Sequence, residues 1–302
     1  ALAEAAGWIT GPVAGARTAA PERWASLGES TRRRLAPSPP TTVGLADGIP
    51  PDDRVLTARA ALTMMGLTSG FARLLVLCGH TSDTAANPYE ASLRCGACGG
   101  HGGGPNARVL AAVLNDRDTR RALRDHGIDL PDDTVVVAAE HDTTSDVVTV
   151  LDPHLVPATH EGDLEQLRGD LARAGAALAA ERCAQLPGAP IAPGSVASRA
   201  ASTVPAPVSS PSDTRAASAA ARHVARRGAD WSETFPEWGL AGNAAFVVGP
   251  RALTRGLDLQ RRVFLHSYDW TVDADGTALE TILTAPLVVA QWINCQYWLS
   301  TT

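Results

Sequence analysis

The sequence predicts an α/β protein with a parallel or mixed sheet flanked by helices, and three observations carry that prediction. Two short apolar runs, FARLLVLC at 71–78 and VVVAA at 135–139, are each followed by glycine or polar residues. Continuous apolar runs of this length suit strands covered on both faces, as in parallel sheets, better than strands with one wet face. Helical periodicity precedes the first run at 56–65 (LTARAALTMM) and separates the two at 106–115 (NARVLAAVLN), the alternation of a βαβ unit.

Four regions follow in chain order. Residues 1–55 are rich in Ala and Arg and interrupted by Pro37, Pro39 and Pro40, which predicts short helices and an irregular connection. Residues 56–155 hold the sheet core, with Gly66 and Gly70 before the first strand and PDD at 131–133 leading into the second. Residues 156–225 start with apolar and charged residues at helical spacing over 163–182. They pass into a Pro-, Ala- and Ser-dominated stretch at 187–218, read as a flexible or irregular connection. Residues 226–302 form a second αβ lobe, with strands expected at 244–248 and 262–265, the latter continuing through 266–270. The closing segment, TILTAPLVVAQWINCQYWL at 281–299, approaches the length of a membrane span. Pro286, Gln291, Asn294 and Gln296 would lie at membrane depth, so a buried helix or strand pair is expected, with docking on a membrane partner as the alternative.

A chain of 302 residues that is 45% hydrophobic is long enough for one large core or two smaller ones. A net charge of −6 and a pI near 5.7 argue against a nucleic-acid partner. The basic clusters at 32–34 and 120–124 are short and read as solvated helix faces. Five irregularly spaced cysteines without a secretory leader point to a reducing compartment, where thiols bind metals or pack in cores. The start at Ala1 and the stop at Thr302, directly after an apolar segment, predict a piece of a longer protein.

The chemistry concentrates at 78–108, CGHTSDTAANPYEASLRCGACGGHGGGPNAR, with three cysteines, two histidines and seven glycines between Gly79 and Gly104. Glycine contributes no side-chain packing and loses most backbone entropy on folding, so this density marks tight turns or a backbone pressed against a neighbour. If 71–78 is a strand, His80 lies at its carboxyl end, where the loops of open α/β sheets line the ligand crevice. The helix expected from Asn106 would turn its first N–H groups back toward the loop, which suits an anion. EHDTTSD after the second strand places His141, Asp142 and Asp146 on another loop facing the same crevice.

Sulfur and imidazole are ligands that Zn²⁺ takes readily. Two pairings stay open on spacing: His80 with Cys95, and the CGACGGH cluster, in which Cys95, Cys98 and His101 form a knuckle or a redox CxxC. A glycine-rich turn with partly buried thiols is the plain structural reading of the same residues. His101 reads as solvent-facing, and Cys183 and Cys295 read as packing residues.

The ordered motifs GHTS (79–82), NP (87–88), CGACGG (95–100), GGPNAR (103–108), GIDLPDDT (127–134) and HDTTSD (141–146) resemble the DabA family. DWSETFPEWGLAGNAAFVVGPR (230–251), TRGLDL (254–259), RVFLHSYDW (262–270) and TAPLVVAQWINCQYW (284–298) extend the resemblance through the second lobe. It implies the soluble subunit of a two-component inorganic carbon uptake system, with a β-carbonic-anhydrase-like core and zinc site. The zinc would be held by His80 and Cys95 together with a cysteine and an aspartate of a CxDxR-type segment. No CxDxR occurs in these 302 residues, so two of the four ligands are expected elsewhere.

The resemblance further implies hydration of CO2 to bicarbonate and a membrane-embedded, proton-channel-like partner subunit of DabB type. It implies a peripheral location on the cytoplasmic face of the bacterial inner membrane. Thr81 and Ala86 depart from the family pattern, which usually has glycine at the first and often asparagine at the second. Two readings from other classes stand beside it: a zinc or redox module using Cys95 and Cys98, and a non-catalytic scaffold docking a membrane subunit through Leu287 and Trp292.

Overall fold

The structure, a computed structural model, describes residues 2–35, 41, 43–45, 48–85, 94–95, 98–183, 186, 188–189, 211–233, 243–259 and 262–301. The NP motif, Ala86, the 190–210 part of the expected connection and the 234–242 part of the second-lobe motif lie outside the described residues.

Helices α1 (Leu2–Ala19) and α2 (Pro21–Leu35) occupy the amino-terminal region, and α3 (Pro51–Met64) opens the core. Helix α3 ends where Gly66 takes φ +68° and the Leu67 N–H returns 2.8 Å to the Leu62 carbonyl, a glycine-closed helix terminus. Strand β1 (Leu74–Thr81) follows, then α4 (Gly104–Asn115), α5 (Arg117–Arg124) and β2 (Val135–Asp142). The Asp116 carboxylate caps α5 by accepting from the Thr119 N–H at 2.9 Å and the Thr119 hydroxyl at 2.8 Å.

Strands β1 and β2 pair in parallel, from Leu74 opposite Val135 to Thr81 opposite Asp142, with α4 packed along both. Strand β3 (Val147–Val150) adds antiparallel to the other edge of β2, so β2 is central and four successive residues, Val136–Ala139, are buried. The core gathers Leu62, Leu77, Leu114, Leu123, Leu130 and Val136 from α3, β1, α4, α5, the loop after α5 and β2. Helix α6 (Glu161–Cys183) packs against β3 and pairs with α7 (Pro211–Ala229), where Ala179, Cys183, Ala220 and Val224 make a second apolar cluster. Parallel strands β4 (Ala245–Val248) and β5 (Val263–His266) and helices α8 (Thr277–Thr284) and α9 (Pro286–Thr301) complete the chain.

The α/β expectation holds: the protein is a mixed α/β structure with small parallel and mixed sheets. Several details differ from the sequence reading. Both core strands run longer than their apolar runs, because parallel pairing continues through Gly79–Thr81 and Glu140–Asp142. His141 and Asp142 are therefore strand residues, not loop residues. Strand β3 was not expected at all, and helix α7 starts at Pro211, inside the stretch read as irregular. Strand β5 stops at His266, because the chain turns at Asp269, whose carboxylate accepts from the Thr271 N–H.

The basic cluster at 120–124 is not one solvated face. Arg120 is 8% exposed and donates to the carbonyls of Leu114 (2.6 Å), Pro131 (3.2 Å) and Thr134 (2.7 Å) and to Asn115 Oδ1 (3.0 Å). Arg124 meets the expectation, reaching Asp129 and Asp132 in solvent. Arg120→Met keeps the stem and removes these bonds, leaving buried carbonyls without donors. It should lower unfolding stability by about 3 kcal/mol, read as a lower urea midpoint.

The apolar carboxyl-terminal segment is helical but largely exposed, with Val288 at 56% and Trp292 at 68% exposure, contrary to the expected burial. The run Thr277–Cys295 is long and apolar enough to cross a membrane by length and composition. Its helix is interrupted at Ala285 (φ −123°, ψ −73°), just before Pro286, which lacks the N–H that would continue the ladder. Cys295 is exposed rather than packed, whereas Cys183 is buried as expected.

Candidate functional site

The carboxyl ends of β1 and β2 bring three chemistry-bearing residues, His80, His141 and Glu140, to one edge. His80 and His141 are register partners, and Gly79 lies opposite Glu140. His80 is half-buried, and the carboxyl-end placement expected for it holds. Burial, reinforced by His141, holds its imidazole below the ordinary histidine range, against a smaller opposing pull from Glu140. The neutral imidazole so favoured carries the lone pair a metal needs.

The glycine segment returns to this edge through backbone contacts. The Cys95 N–H donates to the His101 carbonyl at 3.2 Å. Inside that bridge the N–H groups of Cys98 and Gly100 both reach the Cys95 carbonyl, at 3.0 and 3.1 Å. Gly99 and Gly100 take φ of +67° and +82°, two successive left-handed residues that side chains would strain. The Gly103 N–H then bonds to the His80 carbonyl at 2.8 Å. The two backbones approach so closely there that a Cβ on Gly79 would lie 2.5 Å from the Gly103 carbonyl carbon.

The thiols share this neighbourhood. Asn106, in the first turn of α4, donates to Cys98 Sγ at 3.2 Å. Burial pushes the Cys98 thiol up, Cys95 beside it adds to the rise, and the Asn106 bond opposes it. The Cys78 thiol, on an exposed residue, is likewise raised, by partial desolvation and then by the Glu140 carboxylate. His101 is exposed, in line with its solvent-facing reading. A soft sulfur at Cys95 and a neutral imidazole at His80 suit zinc as a donor set, with Cys98 as the adjoining thiol. Among the described residues no three His, Cys, Asp or Glu side chains converge to enclose an ion. The donor chemistry therefore fits zinc while the enclosure does not close within the described residues alone.

The second loop behaves differently from its expected role. Asp142 Oδ1 accepts from the N–H groups of Asp83 (2.8 Å) and Thr144 (3.1 Å), and its Oδ2 accepts from Ser145, so its oxygens fasten a turn. Asp146, at φ +59°, is engaged by two side chains: its Oδ2 lies 2.8 Å from Arg182 Nε and its Oδ1 3.3 Å from His141 Nε2. Arg182 is 1% exposed and also donates to the carbonyls of Thr143 (3.0 Å) and Thr144 (2.7 Å). Thr81, which departs from the family's glycine, is buried, and its carbonyl accepts from the Thr143 N–H at 2.9 Å. It is not among the described residues with positive φ, so threonine costs no backbone strain there.

Glu140 and Arg182 escaped the sequence reading. Glu140 was legible as a carboxylate closing an apolar strand run. Arg182 carried no signal, because its partners lie 36 to 39 positions away.

The sequence pattern of the family described as "Probable inorganic carbon transporter subunit DabA" matches residues 1–302. A protein of that name from Salinibacter ruber is 45% identical over 99% of this chain and 36% of its own length. Namesakes from Haloarcula marismortui and Natronomonas pharaonis are 49% and 50% identical over 86% and 83% of this chain, and 29% and 28% of their own. The chain thus spans about a third of the length of the curated relatives it matches. No solved structure matches it. With a family match along its whole length and near-half identity to these relatives, the chain belongs to the DabA family.

Proposed function

We propose that this chain is part of an inorganic carbon transporter subunit and supplies His80 and Cys95 as two ligands of a zinc site. The observation that carries the reading is the 2.8 Å bond from the Gly103 N–H to the His80 carbonyl, which ties the loop bearing Cys95 to the strand end bearing His80. The other donors, a cysteine and an aspartate by family resemblance, would come from the part of the family's length outside this chain. When bound, zinc would supply the Lewis acidity that prepares water for hydrating CO2 to bicarbonate.

This chain's own contribution is to favour the neutral imidazole in a half-buried place and to tie the thiol loop to the strand end by backbone bonds. A core of β-carbonic-anhydrase type agrees with the parallel pair β1–β2 and with a site at the strands' carboxyl ends. The exposed apolar residues Val288 and Trp292 support docking of a membrane-embedded, proton-channel-like subunit, with this subunit peripheral on the cytoplasmic face of the inner membrane.

Metal analysis tests the reading, on this chain and on the chain extended by the family's amino-terminal segment, each beside His80→Ala and Cys95→Ala. The extended protein should hold about one zinc and lose it with either substitution. Zinc retained by both variants removes the ligand assignment. Release by Cys98→Ala with His80→Ala silent favours the Cys95 and Cys98 module. Carbon uptake that survives His80→Ala and is lost with Trp292→Glu favours a scaffold.

A further inference from the structure

We infer that Glu140 is a positioning residue that clamps the glycine return onto the strand ends and thereby sets the place of Cys95 relative to His80. The inference rests on the zinc reading of His80 and Cys95 and adds a residue to it. Glu140 stands on β2 directly opposite Gly79, one position before the His80 and His141 pair. Its Oε1 accepts from the Gly104 N–H at 2.8 Å, at the first residue of the twelve-residue helix α4. A carboxylate there satisfies one of the free N–H groups of the first turn and meets the positive end of the helix dipole.

The fit around this carboxylate is close on two sides. A Cβ on Gly102 would lie 2.4 Å from Glu140 Oε1, and one on Gly104 would lie 2.8 Å from the same oxygen. A methyl at either position would push the Glu140 carboxylate aside, so glycine at both lets it keep its bond to Gly104. Between them, Gly103 is bonded to the His80 carbonyl, and just before them His101 is bridged to Cys95. Glu140 is thus a side-chain fastening, beside the Asn106 bond to Cys98, of a path that runs through backbone bonds from His80 to Cys95. Removing it frees residues 102–104 to lift from the sheet, carrying the Cys95 turn along.

The test uses the full-length family polypeptide containing this chain, with Glu140→Ala and Glu140→Gln. Arg120→Met is the control, because it destabilises the core away from this edge. Amide hydrogen exchange over 101–106 should rise at least about tenfold in Glu140→Ala. Zinc affinity should fall by about 10–100-fold. Glu140→Gln, which keeps an oxygen able to accept from Gly104, should restore most of both, and Arg120→Met should change neither beyond its effect on global unfolding.

Unchanged exchange in Glu140→Ala overturns the inference. So does raised exchange with unchanged zinc affinity, or a zinc loss matched by Arg120→Met. Failure of the underlying zinc reading is separate: it appears in the unsubstituted Glu140 background as zinc that persists through His80→Ala.

Discussion

Arg182→Ala is expected to destabilise the protein by about 3–5 kcal/mol, a large share of the stability of a domain this size. Arg182 is 1% exposed, and its guanidinium sits among the Asp146 carboxylate and the carbonyls of Thr143 and Thr144. Truncation leaves Asp146, 5% exposed, as a buried charge whose remaining neighbour is His141. It also strips donors from two turn carbonyls. Urea unfolding followed by circular dichroism reads the loss directly, and an unfolding midpoint equal to that of the parent would show that the ion pair is dispensable. Arg182→Lys should recover only part of the stability, because a single ammonium cannot reach a carboxylate and two carbonyls in the planar arrangement that guanidinium allows.

Gly79→Ala is the second large effect. Its Cβ would approach the Gly103 carbonyl carbon, oxygen and Cα at 2.5, 2.6 and 2.9 Å, all backbone atoms that cannot rotate away. Relief requires the loop or the strand end to move by about 1 Å to reach ordinary carbon contact distance. That movement lengthens the Gly103 to His80 bond on which the candidate site depends. The expected cost is about 1–3 kcal/mol in stability, with loss of zinc retention in the extended protein. Gly162→Ala in α6 is the matched control: nothing lies within 4 Å of the added methyl, so it should be neutral or stabilising by up to about 1 kcal/mol. Equal behaviour of the two variants, in unfolding and in zinc content, would refute the packing argument.

Much of the sheet core was legible because its signals are local. The apolar runs at 71–78 and 135–139 report strands covered on both faces, and the helices near 56–65 and 106–115 follow from period and glycine punctuation. A glycine-rich turn was legible at 99–100, and the structure gives it positive φ twice in succession. His80 at a strand's carboxyl end followed from the same strand placement.

The charged residues of 120–124 show where local reading stops. A run of arginines on a short helix gives no sign of which one turns inward. Arg120 is buried because the carbonyls of Pro131 and Thr134 converge on it from beyond the helix, while Arg124 meets only surface carboxylates. The exposed face of α9 is a second case, since apolar composition alone cannot say whether a covering surface is present.

By itself, then, the sequence determined the α/β class, the order of the core elements, a glycine-rich turn and the motifs that mark the family. These are encoded within a few residues of one another, as hydrophobic period, turn preference and motif. Only the tertiary structure decided that β1 and β2 pair through His80 and His141, that Asp146 is spent on Arg182, and that Glu140 reaches Gly104. Each of those depends on groups 36 to 61 positions apart meeting at bonding distance, and no local pattern carries that distance.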